Sequence, residues 1–222
     1  EEGCEWGCFD YSQQEPRLVV HYASLDQDTS VFDVKEAYED GDADFHTIVA
    51  KMADIPRSAA KTINLGLFYG MGKAKLQAEL GVSKDKAEEL FSIYHNRVPF
   101  VKSLTKSVSN RAQQRGQIRT LLGRLCRFHL WEPNTFGMHK ALPFEQAVQE
   151  HGPGIKRAYT YKALNKLIQG SAADMTKKSM LDLYKEGIVA HIQIHDELDV
   201  SVESPEQAKK IVEIMENAVK LK

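Results

Sequence analysis

The stretch that most restricts what this chain can fold into is IVAHIQIHDELDVSVE, residues 188–203. Ile188, Ala190, Ile192, Ile194, Leu198, Val200 and Val202 hold even positions, while His191, Gln193, His195, Glu197, Asp199, Ser201 and Glu203 hold odd ones. A period of two is that of strands with one apolar face. The polar interruption at His195–Glu197 predicts two strands joined by a tight hairpin. Two details do not fit an ordinary hairpin. Asp196 falls in register with the apolar positions, and the turn has no Gly or Asn to ease a left-handed backbone. Turns favour Asp, so Asp196 can simply be solvated. Alternatively, the hairpin fixes a carboxylate as a metal ligand, which requires a second carboxylate from elsewhere in the chain.

The rest of the chain narrows the class. Its 222 residues suffice for one large or two small domains, and 42% hydrophobic with 27% charged residues is ordinary globular composition. Cys4, Cys8 and Cys126 form no C-x-x-C pair, which favours a reducing compartment over a disulfide scaffold or a standard zinc site. No apolar run approaches a membrane span and no signal peptide is expected. The first residues already belong to a folded pattern and there is no initiator Met, so a longer parent chain is expected. The net charge of −2 argues against nucleic acid, but its distribution argues for it. Arg97 to Arg127 holds eight basic residues and no acidic one, and Ile155 to Gly187 holds seven basic and three acidic. Such tracts are either solvated helix faces or a surface for a phosphate backbone.

Along the chain, WGCFDYS (6–12) reads as a short buried strand ending at Asp10, with Ser12 capping the next helix and Pro16 in its first turn. Residues 26–44 read as acidic loop with a short helix, and DFHTIVAKMA as helix. Asp54 and Pro56 start a helix to Tyr69, closed by Gly70 and Gly72. Ser83 starts another with Ala87, Leu90, Phe91 and Tyr94 on one face. Pro99 starts a third, with Val101, Leu104, Val108 and Ala112 inward and Gly116 at its end. QIRTLLGRLCRF reads as a hairpin about Gly123, residues 129–154 as an insertion with one short helix, and 157–186 as a long helix. An amphipathic helix from Pro205 closes the chain. Strands and helices are segregated, which predicts an α+β fold.

Asp10, at the end of the first strand, is the candidate partner of Asp196. Two carboxylates that share divalent ions can clamp the attacking and leaving oxygens of a phosphoryl displacement, and oxygen ligands favour Mg²⁺ over zinc. In RSAAKTINLGLFYG, Arg57, Lys61, Leu65 and Tyr69 recur every four residues along one face. Arg57 and Lys61 lie where the helix dipole disfavours cations. Either they are solvated at small cost, or an anion such as a triphosphate sits between them and the helix.

DYSQQEPRL, RSAAKTINLGLFYG and IHDELDVSV resemble, in order and spacing, the three polymerase motifs of the family A DNA polymerases, and NKLIQGSAAD and TLLGRLCRF resemble two further family segments. The resemblance covers essentially the whole chain. It implies two Mg²⁺ ions bound by Asp10 and Asp196, with the Tyr11 carbonyl as a further ligand and Glu197 adjoining the site. It implies Glu15 as a steric gate against a ribose 2′-hydroxyl, with Gln13 its polar neighbour. His46, Arg57 and Lys61 are implied as triphosphate contacts, Lys61 also as proton donor to the leaving pyrophosphate. Tyr69 is implied beside the templating base, and Arg124, Asn165, Gln169 and His195 as DNA contacts. The chain departs from the pattern at Leu65, where the family usually has an aromatic beside the incoming sugar, and at Tyr161, where many members have Arg and the neighbouring Lys162 is a possible substitute. The segment 129–154 is longer than in bacterial repair enzymes and is similar to phage members.

The resulting expectation is a palm and fingers fragment. Residues 1–44 form the first palm portion, 45–154 mainly fingers, and 155–222 the rest of the palm seen here. The thumb and earlier palm are expected before Glu1, and the last palm strands after Lys222. The expected activity is template-directed DNA synthesis on primer-template DNA from deoxynucleoside triphosphates, in the cytoplasm of a bacterial or phage-infected cell. A single-subunit RNA polymerase is a rival that Glu15 counts against. A non-catalytic nucleic-acid-binding module is a second, and a metal-dependent nuclease leaves Glu15 and the Arg57–Tyr69 stripe unexplained.

Overall fold

The computed structural model describes residues 3–39, 44–68, 73–135 and 137–222. The chain begins with strand β1 (Glu5–Asp10), helix α1 (Gln14–Leu25), a 3-10 turn (Thr29–Val31) and α2 (Phe32–Glu39). Five helices follow: α3 (Phe45–Ala53), α4 (Arg57–Phe68), α5 (Lys73–Leu80), α6 (Lys84–Arg97) and α7 (Pro99–Arg115). Then come β2 (Gln117–Arg119), β3 (Leu125–Arg127), β4 (Leu130–Pro133), β5 (Leu142–Pro143), α8 (Phe144–His151) and β6 (Ile155–Arg157). A 3-10 turn (Thr160–Lys162) leads into α9 (Ala163–Lys185), followed by β7 (Ile192–Ile194), β8 (Glu197–Val202) and α10 (Pro205–Asn217). The fold is α+β. No helix among the described residues is long and apolar enough to cross a membrane.

Local chemistry accounts for many helix ends. Ser83 and Ser204 accept from the backbone N–H groups of Lys86 and Gln207, and Pro99 opens α7 without losing a helical bond. Gly116 closes α7 at φ +66, where a Cβ would also meet the Arg157 guanidinium carbon at 2.7 Å. The larger core joins Leu18 and Val19 of α1, Phe45 of α3, Ile63 of α4, Leu104 of α7 and Ile168 of α9. A second core, Leu183, Leu198, Val200, Val202, Ile211 and Met215, fixes the hairpin on α9 and α10. The Tyr11 ring packs against both, and its hydroxyl bonds to Ser179 at 2.5 Å and donates to the Met215 carbonyl at 2.7 Å.

Several expectations are corrected. β1 is not buried; it is an edge of the sheet ordered β1-β8-β7, and Trp6 is 55% exposed. Ser12 does not cap α1. The chain enters the helix through Gln13 in the left-handed region (φ 55), and the Gln13 side-chain oxygen accepts from Phe45 N–H at 2.7 Å and the Tyr38 hydroxyl at 3.1 Å. The segment 129–154 is more than loop and helix: β4 pairs with β5 and with β6, so one sheet runs across the boundary expected at residue 154. The same pairing delays the long helix, which begins at Ala163 after Tyr159 turns at φ 61. Helix α5 was not expected from the sequence.

The hairpin itself inverts the simple reading. Its two-residue turn pairs Ile192 with Asp199, Gln193 with Leu198 and Ile194 with Glu197. Even residues of β7 therefore share a face with odd residues of β8, and there is no continuous apolar face. Leu198, Val200 and Val202 are buried, whereas Ile192 and Ile194 are 47% and 51% exposed on the face that carries Glu197 and Asp199.

The β2–β3 hairpin docks on α9 through contacts that demand a small residue there. Leu121 N–H donates to Ser171, Leu122 N–H to Asp174, and Arg124 bonds the Gly170 carbonyl at 2.7 Å. A Cβ on Gly170 would lie 2.6 Å from the Thr120 methyl. Gly170→Ala is expected to destabilise by roughly 1–3 kcal/mol through overpacking. In a Thr120→Ser background, which removes the methyl and keeps the hydroxyl, it should instead stabilise by roughly 0.5–1 kcal/mol through helix propensity. Thermal unfolding of the four proteins checks this, and the same sign in both backgrounds contradicts it.

Candidate active site

Pairing of β1 with β8 places Asp10 opposite Glu197, next to the turn that carries Asp196. Residues from the two ends of the chain thereby form one acidic edge. His195 supplies the conformation that Gly would normally supply, at φ 55. A non-Gly residue held there costs about 1–3 kcal/mol and persists where surrounding structure enforces it. Burial first, and then the Asp10 charge, raise the Asp196 pKa above its ordinary value. Asp196 is thus half-buried beside a like charge, an arrangement that a cation would relieve.

Negative charge extends along the same face. The ligand atoms of Cys8, Glu197 and Asp199 lie within 4.8 Å of one another, and one buried Asp199 oxygen has no hydrogen-bond partner. A hydrogen bond to Asp199, followed by burial, raises the Cys8 thiol pKa. Burial, followed by Asp199 and Asp10, raises that of Glu197.

Asp196 opens onto a cleft of about 650 Å³, within the range of small-molecule sites. The cleft brings together Gln13, Glu15, His46, Leu65, Gln169, His195 and Asp196 from the sequence expectations, and adds Gln14 and Gln193. Gln14 is buried and donates to Thr176 at 3.2 Å. Gln169, Ala172 and Ala173 present one face of α9 to the cleft, and Asn165 lies half-buried in the first turn of that helix.

Arg57 and Lys61 stand exposed in the first two turns of α4. Arg57 already has an anion: its Nε lies 2.6 Å from Asp44, the residue that caps α3, and 3.2 Å from the Thr47 hydroxyl. Burial opposes ionisation of Asp44, but Arg57 and Thr47 outweigh it and hold the pKa down to about 2. His46 is lowered from its ordinary value, foremost by burial, with Asp44 raising it and Arg57 and Lys61 lowering it. These charges sense one another next to the cleft.

Other expected residues lie outside this convergence or are already engaged. Arg124 bonds Gly170 and pairs with buried Asp174 at 3.2 Å, so it clasps α9. Tyr161 is exposed in the turn before α9, and Lys162 lies over the Tyr159 and Tyr161 rings. Tyr69 lies outside the described residues. The sequence reading missed Asn64 and Tyr94 as site components: Asn64 Nδ2 is 3.1 Å from His46 Nδ1, and the Tyr94 hydroxyl donates to Asn64 at 2.5 Å. The signal available was a lone Asn among apolar residues inside the Arg57–Tyr69 motif.

The raised Asp196 pKa has a definite sign. The folded chain holds that proton more tightly than the unfolded chain, so its stabilising effect is complete below the unfolded value of about 3.9 and is lost as pH rises through the raised value. Asp196→Asn is therefore expected to raise the Tm of metal-free protein at neutral pH, with the advantage fading as pH falls through the raised value and gone below about 4. Thermal melts across that range check it, and a pH-independent difference contradicts it.

Known proteins resemble this chain along its whole length. The model for "DNA polymerase family A" matches residues 1–222. A DNA-directed DNA polymerase of Pseudomonas phage M6 is 33% identical, with all of this chain and 36% of that protein covered. The thermostable DNA polymerase I of Thermus filiformis is 30% identical, with all of this chain and 26% of that protein covered. Among solved structures, the POL domain of Pol1 from M. smegmatis, in complex with DNA primer-template and dNTP, superposes with a TM-score of 0.75 at 28% identity, covering all of this chain and 38% of that one. The chain thus spans little more than a third, or less, of these proteins.

Proposed function

This chain belongs to DNA polymerase family A, and from that premise we propose that it carries the nucleotidyl-transfer site of a DNA polymerase. The reaction is template-directed transfer of a deoxynucleotide to a primer 3′-hydroxyl with release of pyrophosphate. The observation that carries the reading is the meeting of Asp10 and Asp196 at one edge of the β1-β8-β7 sheet, with Asp196 facing a cleft lined by Glu15, His46, Leu65 and Gln169.

The donors fit hard divalent cations, because two carboxylates of the same charge, Asp10 at the end of β1 and Asp196 in the turn of the hairpin paired with it, sense one another. Two Mg²⁺ ions, held by Asp10, Asp196 and the Tyr11 carbonyl, would supply charge stabilisation at the attacking and leaving oxygens. The protein's own residues do the rest. Lys61 and Arg57 attract the triphosphate, with Arg57 exchanging Asp44 for phosphate, and Lys61 delivers a proton to the leaving pyrophosphate. Glu15 closes the space beside the sugar 2′ position, and Leu65 packs against the sugar. Gln169, Asn165 and His195 meet the primer-template along α9 and the hairpin. Tyr69 completes the template side. The basic surface of α7 and the β2–β3 hairpin suits a nucleic-acid backbone: among the described residues Arg111 pairs with Asp26 and Arg124 with Asp174, and the other cations of this acid-free stretch are in no such ion pair.

Primer extension by the full-length chain, with Mg²⁺ and four deoxynucleotides, tests the reading. Asp10→Asn or Asp196→Asn is expected to lower the rate by roughly 10³-fold or more, several kcal/mol of transition-state stabilisation, while primer-template binding persists. Near-normal turnover in either variant overturns the assignment. Glu15→Ala is expected to raise the ratio of ribonucleotide to deoxyribonucleotide incorporation, and an unchanged ratio removes Glu15 from the sugar site.

A further inference from the structure

We propose that Asn64 and Tyr94 are positioning residues that fix His46 as the Nε2-protonated tautomer, so that it presents an N–H donor to the triphosphate. The inference rests on the polymerase reading above and assigns the shell behind one of its binding residues.

The chain of hydrogen bonds has one consistent polarity. Asn64 and Tyr94 are both 0% exposed, so no solvent completes their bonding. The Tyr94 hydroxyl donates to Asn64 Oδ1 at 2.5 Å. That fixes the amide, and Asn64 Nδ2 then faces His46 Nδ1 at 3.1 Å. An amide nitrogen only donates, so Nδ1 must accept and the imidazole proton resides on Nε2. Reversing the amide would leave the Tyr94 hydroxyl proton without this acceptor in a fully buried position, which is unfavourable. His46 itself is 8% exposed and lines the cleft, so one ring nitrogen is spent on the protein and the other remains for a ligand.

Position is fixed as well as tautomer. Asn64 sits on α4, three residues beyond Lys61, while Tyr94 is on α6 and His46 on α3. The Asn64–His46 bond therefore ties the helix that carries Arg57 and Lys61 to the helix that carries His46, and the Tyr94–Asn64 bond braces the same amide from α6. Phosphate-binding groups on separate helices are held in one relative placement, which a binding site needs before its ligand arrives.

The test is a double-mutant cycle in the full-length enzyme. Tyr94→Phe removes only the hydroxyl, and is expected to raise KM for the deoxynucleotide about tenfold with kcat nearly unchanged, the scale of one lost hydrogen bond. In a His46→Ala background the same substitution should leave KM unchanged, because there is no imidazole to orient. An equal penalty in both backgrounds marks Tyr94 as merely structural and overturns the proposal. Nitrogen NMR of wild-type enzyme labelled with ¹⁵N-histidine, with His46 assigned by difference from His46→Ala, needs no folded Tyr94 variant. An Nε2–H signal is expected, and an Nδ1–H signal overturns the inference. Wild-type enzyme that cannot extend a primer would instead refute the polymerase reading, and the tautomer would still be decided by NMR.

Discussion

Pairing between β1 and β8 is the constraint on which the site depends. It runs from Glu5 opposite Val202 to Asp10 opposite Glu197. Strand pairing fixes register to the residue, so the place where Asp10 stops is set by every pair behind it. Tyr11, the next residue, continues the constraint beyond the sheet through its bonds to Ser179 and the Met215 carbonyl. One short strand is thereby fastened to the hairpin, to α9 and to α10. The acidic edge is rigid because the backbone, and not side-chain packing alone, brings it together.

Two kinds of charge are handled in opposite ways around the cleft. At the sheet edge, burial and then the neighbouring Asp10 charge raise the Asp196 pKa, against a backbone hydrogen bond and His195, which only partly offset them. At the start of α4 the cation is already neutralised by Asp44, which also caps α3 and bonds Thr47. The first arrangement draws in cations. The second makes binding an exchange, in which an incoming anion must outcompete a carboxylate 2.6 Å from Arg57. Both side chains of that pair are partly exposed, so water screens the competition and keeps it reversible.

What could be read from the sequence was what local chemistry decides. Ser83, Ser204, Pro99 and Gly116 announce helix ends because caps and left-handed closures need those residues wherever they occur. The inward faces of α6 and α7 follow from spacing alone. What could not be read depends on pairing across distance. β5 is two residues long and exists only because β4 lies beside it. The Asp44–Arg57 pair joins residues whose proximity no periodicity reports. Asn64 gains its meaning only from Tyr94 and His46 on either side of it. The resemblance of motifs supplied candidates for the site, but not the contacts that hold Gln13, Arg124 and His46 in place.

The two-residue turn at His195 and Asp196 has a consequence for how sequences like this one can drift. A substitution in the turn changes one side chain. An insertion or deletion of a single residue changes the parity of β7 relative to β8, turning Ile192 and Ile194 toward the core and Gln193 away from it, and moves Asp196 relative to Asp10. The loop is therefore closed to change in length even where a substitution in it would leave the strand pairing intact. Among related chains, its residue count should be held more strictly than the identity of any of its neighbours on β7.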